Sequence, residues 1–150
     1  MPTTSRTNVR LANSAWESLM TAHAALMGKF AAEDMWCDVN MREYDVLYTV
    51  SKHDGPMRIG DIQSGVLLSQ PALSRMVDRL VIRGLLERSP DPEDGRAVRI
   101  NLSEAGARIQ REVGRAHARS VARDVGGALT EDELQTLRSI GQKLSAAAAS

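Results

Sequence analysis

The sequence is poor in several features that mark protein classes. It has a single cysteine, Cys37, which excludes a disulfide within the chain and suits a reducing compartment. Only 3% of residues are aromatic, so a core must be built from Leu, Val, Ile, Met and Ala. There is no net charge, with 19 basic residues against 19 acidic ones. The chain is therefore no polycation, and any affinity for an anion must come from local clustering. No apolar run approaches the length of a membrane span. The opening MPTTSRTNVR lacks the apolar stretch of a secretory signal, so a cytoplasmic chain is expected. Its first eight residues are polar and expected to be mobile. The three histidines (His23, His53, His117) are scattered, without metal-ligand spacing. No glycine-rich phosphate loop, nucleophile elbow or paired carboxylates stand out. The expectation is no enzyme, no metal and no cofactor.

What is present is arginine and helical periodicity. Of the basic residues only Lys29, Lys52 and Lys143 are lysine, and arginine suits bidentate phosphate and guanine contacts. At 150 residues the chain has the length of one domain with helical arms. Trp16, Leu19, Met20, His23, Leu26, Met27 and Phe30 recur at steps of three and four, the face of a long amphipathic helix. A second helix is predicted over about 41–52, ended by Gly55 and Pro56. A short helical segment at 59–65 precedes a helix capped by Ser69 and ended by Gly84. Residues 85–88 (LLER) and 97–102 (AVRINL) then read as two strands of a hairpin, with Val98, Ile100 and Leu102 on one face. Ser103 caps a long helix over about 104–125, and Gly126 and Gly127 break it. Thr130 and Glu133 have capping-box spacing and open a last helix.

The helix after Ser69 has two distinct faces. Leu73, Met76, Val77 and Leu80 form a core stripe. Pro71, Ser74, Arg75 and Asp78 lie opposite, flanked by Gln70 and Arg79. A helix entering a major groove needs such a face of short polar groups and arginine, and Ser69 with the first-turn donors suits a phosphate. A solvated amphipathic helix fits the same pattern, but the short helix before it and the hairpin after it favour DNA. The hairpin turn carries Asp91, Pro92, Glu93, Asp94, Gly95 and Arg96. An arginine at a narrow tip suits a minor groove, which focuses negative potential. Asp94 is expected to brace the Arg96 guanidinium by a charge-assisted hydrogen bond; Asp91 and Glu93 are expected to serve the turn.

The run SQPALSRMVDRLVIRGLLERSPDPEDGRAVRINLSEAG, residues 69–106, resembles the DNA-binding core of the MarR family of bacterial transcription regulators. The resemblance rests on the wing Asp94-Gly95-Arg96 and on Leu102, Ser103 and Gly106 at the following helix start. It implies a mainly α chain with a small β-hairpin wing, a winged helix-turn-helix over 41–102, and dimerisation helices over 9–35 and 104–147. It implies a major-groove helix bearing Ser69, Gln70, Pro71, Ser74, Arg75 and Arg79, with Arg96 in the minor groove. It also implies a homodimer on an imperfect DNA palindrome, usually a repressor released by a small aromatic or amphipathic anionic effector.

The stripe Leu134, Leu137, Ile140 and Leu144 has little left in the chain to cover it, which suits isologous pairing; packing on the first helix within one chain is the alternative. Trp16, His23, Met27, Tyr44, Asp45 and Tyr48 are candidate effector-pocket residues, although a Met-rich core has the same composition. The urate-responsive branch of the family has an arginine where this chain has Met76, so urate is not expected. Arg108, Arg111, Arg115, Arg119 and Arg123 form a ladder read as a solvated face. Two other readings stand beside the regulator: a winged helix that binds protein, and redox response through Cys37, whose acidic neighbours would raise its pKa.

Overall fold

The computed structural model of the chain describes residues 8–150, so the expectation for the polar start falls, but for Asn8, outside the described residues. The chain is mostly helical, 68%, and divides into two compact units at Glu33 and Asp34. The first unit is a single helix, α1 (Val9–Ala31). Its first turn is closed by the Asn8 side chain, which accepts the Leu11 N–H at 2.9 Å. Trp16, Leu19 and Met20 are exposed on it.

The second unit, Asp34–Ser150, begins with a 3₁₀ turn at Asp34–Trp36 and then α2 (Met41–Lys52). Asn40 and Glu43 form a reciprocal capping box at the start of α2. Next come β1 (Met57–Arg58), α3 (Ile59–Gln63) and α4 (Gln70–Ile82). The hairpin is β2 (Leu86–Pro90) and β3 (Val98–Leu102). The chain ends in α5 (Glu104–Val121), a π-helical turn at Ala122–Gly126, and α6 (Glu131–Ala148).

Two features depart from the sequence reading. The wing is a three-stranded antiparallel sheet in the order β1-β3-β2, not a bare hairpin. Met57 pairs with Ile100 and Arg58 with Arg99, tying the start of α3 to the wing. Along β3, only Ile100 is fully buried; Val98 is exposed and Leu102 half-buried. Pro90 pairs with Val98 at the wing end of the ladder, and there the alternation has no core to face.

The core is aliphatic, as the scarcity of aromatics requires. Leu47, Ile62, Leu73, Leu80, Leu86 and Ile100 are its largest fully buried side chains. Leu73, Met76, Val77 and Leu80, the expected stripe of α4, are all buried. Gly84 ends that helix with φ +75, a left-handed backbone that costs glycine nothing. The Leu85 N–H bonds Leu80 O at 2.9 Å and the Gly84 N–H bonds Val81 O at 3.0 Å, a Schellman motif. The buried Ser103 hydroxyl donates to Gly84 O at 2.5 Å and accepts the Gly106 N–H at 2.9 Å. The exit of α4 and the entry of α5 are thereby tied together.

Candidate nucleic-acid interface

The expected reading face of α4 is on the surface. Ser69, Gln70, Pro71, Arg75, Asp78 and Arg79 are exposed, and Ser74 is half-buried and so partly withdrawn. The Ser69 side chain accepts the Ala72 N–H at 3.3 Å, as an N-cap should. Among the described residues, the Arg75 and Arg79 guanidinium groups make no hydrogen bond or ion pair. Asp78 would repel phosphate beside them, but it forms an ion pair with Arg88 on β2. That pair joins the helix to the wing and offsets the one acid on the face.

The wing loop closes through backbone bonds, Asp91 N–H to Ala97 O at 3.1 Å and Ala97 N–H to Asp94 O at 3.0 Å. Residues 92–96 are all exposed. Here the structure corrects the expected brace: the Asp94 carboxylate accepts the backbone N–H of Arg96 at 3.1 Å, not its guanidinium. This short-range bond shapes the turn and leaves the Arg96 side chain without a partner among the described residues. Gly95 has no left-handed backbone and faces open space, so the tip does not require glycine.

The acid that braces the wing is Asp91. Its side chain is fully buried. One oxygen accepts the Glu93 N–H at 2.9 Å and lies 3.4 Å from the Asp94 N. The other accepts Arg58 Nε at 2.7 Å and pairs with Arg99 Nε at 3.2 Å. The Glu93 N–H, then Arg58 and Arg99, hold its carboxyl well below the usual carboxylate range against the opposing effect of burial. Sequence reasoning gave Asp91 only the turn role, since Arg58 lies 33 residues away.

Of the candidate pocket residues, Tyr44, Asp45 and Tyr48 line one cavity of about 410 Å³ with Gly114, His117, Ala118 and Val121. The latter four, one face of α5 at steps of three and four, were missed because the arginine ladder dominates that stretch. Trp16, His23 and Met27 lie on α1 in the other unit, with Trp16 and His23 exposed. Tyr44 stacks on Tyr48 with ring centres 5.9 Å apart and meets His117 edge-on at 5.8 Å. Burial raises the Asp45 pKa, and His117 opposes that rise. Among the described residues no lysine or arginine lines the cavity, and His117 is the one basic side chain in its lining.

Cys37 is exposed with φ 56, and its thiol faces Glu112 at 3.9 Å. Such burial as it has, then the Glu112 and Asp38 charges, push its pKa up, which disfavours a reactive thiolate. Among the described residues no helix is long and apolar enough to cross a membrane, and no three His, Cys, Asp or Glu side chains group to hold a metal ion.

Against known proteins, the model of the MarR family matches residues 39–98. The multiple antibiotic resistance protein MarR of Escherichia coli (strain K12) is 37% identical over 73 residues, 49% of this chain and 51% of that protein. The matched part thus spans about half of that relative's length. AbsC, a MarR family transcriptional regulator from Streptomyces coelicolor, shares the fold with TM-score 0.81 at 22% identity, over 97% of this chain and 99% of that one. Sco3205, a MarR family transcriptional regulator from the same organism crystallised in complex with DNA, gives TM-score 0.79 at 20% identity, over 94% and 89%.

Proposed function

We propose that this chain, whose residues 39–98 match the MarR family model, is a member of that family and a cytoplasmic, homodimeric, sequence-specific DNA-binding regulator of transcription, acting as a repressor. In this reading α4 lies in a major groove and the wing in the adjacent minor groove. One observation carries it: in a chain of zero net charge, Arg75 and Arg79 on α4 and Arg96 on the wing expose guanidinium groups with no partner among the described residues. Ser69, Gln70, Pro71 and Ser74 complete the major-groove face, and Asp94 and Gly95 shape the wing turn. A two-fold dimer sets its recognition helices about 34 Å apart, so the site is an imperfect palindrome.

The test is a mobility-shift assay on the DNA upstream of the chain's own gene, with affinity measured across salt. Arg75→Ala should relax preference at one base position, costing about 1–3 kcal/mol there. Arg96→Ala should weaken binding to all sequences alike and lower the salt slope by about one. A module that binds protein instead would shift no fragment at any salt.

The effector, in this reading, enters the cavity between Tyr44, Asp45, Tyr48 and His117. An aromatic molecule suits the stacked rings. With the Asp45 carboxylate in the lining and, among the lining residues, only the His117 imidazole to offset it, a neutral phenol suits it better than an aromatic anion. In a thermal-shift screen, phenols should therefore raise the melting temperature more than benzoates of equal size; the reverse order would rule this preference out.

A further inference from the structure

The wing loop of the proposed DNA-contacting surface is exposed throughout residues 92–96, yet it is organised around a fully buried carboxylate. Residues 92–96 have no apolar anchor, since every one of them is exposed. Their path depends on a few polar contacts: the Asp94 turn, the Asp91–Ala97 backbone bond and the Asp91 side chain. Only the last reaches beyond the loop, to Arg58 on β1 and Arg99 on β3. β1 is two residues long, and Arg58 stands opposite Arg99 in its register with β3. One carboxylate therefore joins both strands to the root of the loop.

We propose that Asp91 is a positioning residue for DNA binding, holding the loop so that Arg96 meets the minor groove in one pose. The inference rests on the regulator reading and deepens it. The physical reason is entropic. A free five-residue loop samples many directions, and a long arginine at its tip would lose that freedom on binding. A buried acceptor that engages two loop N–H groups and two guanidinium groups removes it beforehand. Asparagine in the same place offers one carbonyl acceptor and two donors, so it cannot hold two arginines and two N–H groups together.

The experiment uses a duplex selected from a random-sequence pool by the wild-type protein. Affinity, salt slope and hydroxyl-radical footprint are measured for wild type, Asp91→Asn, Arg96→Ala and the double variant. Asp91→Asn should weaken binding about tenfold, lower the salt slope by about one as Arg96→Ala does, and lose the minor-groove protection at the wing. Protection under α4 should remain. The double variant should bind no more weakly than Arg96→Ala alone. If the two effects instead add, or the Asp91→Asn footprint equals that of wild type, the proposal is overturned. Should Asp91→Asn lack the wild-type circular dichroism, Arg58→Gln is read in its place, because Arg58 is about half exposed and removes one holder only. It should blur the wing footprint, and an intact one overturns the proposal. A wild-type protein that selects no duplex sinks the regulator reading itself, and this proposal with it; a wild type that binds with additive variants sinks only the proposal.

Discussion

Replacing Gly106 by alanine will lower the melting temperature by about 6–12 °C, from a loss of about 3 kcal/mol, the upper end of what overpacking costs. Helix propensity alone argues the opposite, since alanine is favoured over glycine inside a helix by about 0.8–1.0 kcal/mol. Geometry decides the sign. A Cβ at Gly106 would lie 1.9 Å from Leu85 O and 2.9 Å from Leu85 C, both backbone atoms that no rotamer change can move. Leu85 cannot retreat cheaply. Its N–H is bonded to Leu80 O in the Schellman motif, its carbonyl accepts the Ser103 N–H at 3.1 Å, and its side chain is buried. The strain therefore reaches the end of α4 and the start of α5 together. Gly60→Ala is the control: that glycine is exposed with nothing within 4 Å of a new Cβ, so the change should be neutral or stabilising. Paired thermal melts decide the matter, and a Gly106→Ala protein as stable as wild type would refute the close approach.

The same glycine shows why part of the fold was legible in the sequence. Gly106 belongs to the local pattern of Leu102, Ser103 and Gly106, and local chemistry is what a sequence displays. The caps at Ser69, Ser103 and Thr130, the terminator Gly84 and the α4 core stripe all depend on residues within a few positions of one another, and all are present. Arg75 and Arg79 were legible for the same reason, because helical spacing puts the first opposite that stripe and the second on its flank. What stayed hidden depends on distance along the chain. β1 is too short to show alternation, and it exists because β3 is there to pair with it. Asp91 sits among turn formers, and nothing nearby reveals that Arg58 will reach it. In the sequence Asp94 reads as the brace because its charge stands two residues from Arg96, but in the folded turn its carboxylate accepts the Arg96 backbone N–H instead. Cys37 takes a left-handed backbone that its residue type does not favour, and no local motif announces it.

The double variant Ile140→Glu, Leu144→Glu is expected to run as a monomer and to bind DNA at least about 100-fold more weakly than wild type. In α6, Leu137, Ile140 and Leu144 are 44%, 51% and 54% exposed, on a well-capped helix whose stripe also includes the half-buried Leu134. Covering the exposed half of each side chain contributes about 1 kcal/mol, and a two-fold axis counts every such contact twice. Glutamate at two of these positions removes that gain and adds unpaired charges to be desolvated on association. It leaves the helix itself intact, being a good helix former at exposed positions. Light scattering should give a mass of 16.4 kDa for the variant and twice that for wild type. The DNA effect follows because a dimer engages its second half-site within one molecule, whereas a monomer must recruit another from solution. The two readouts separate the links of the argument. An unchanged mass would show that this stripe is not the interface. A halved mass with undiminished affinity would show that one recognition helix and one wing suffice, and the palindrome would then have no physical basis.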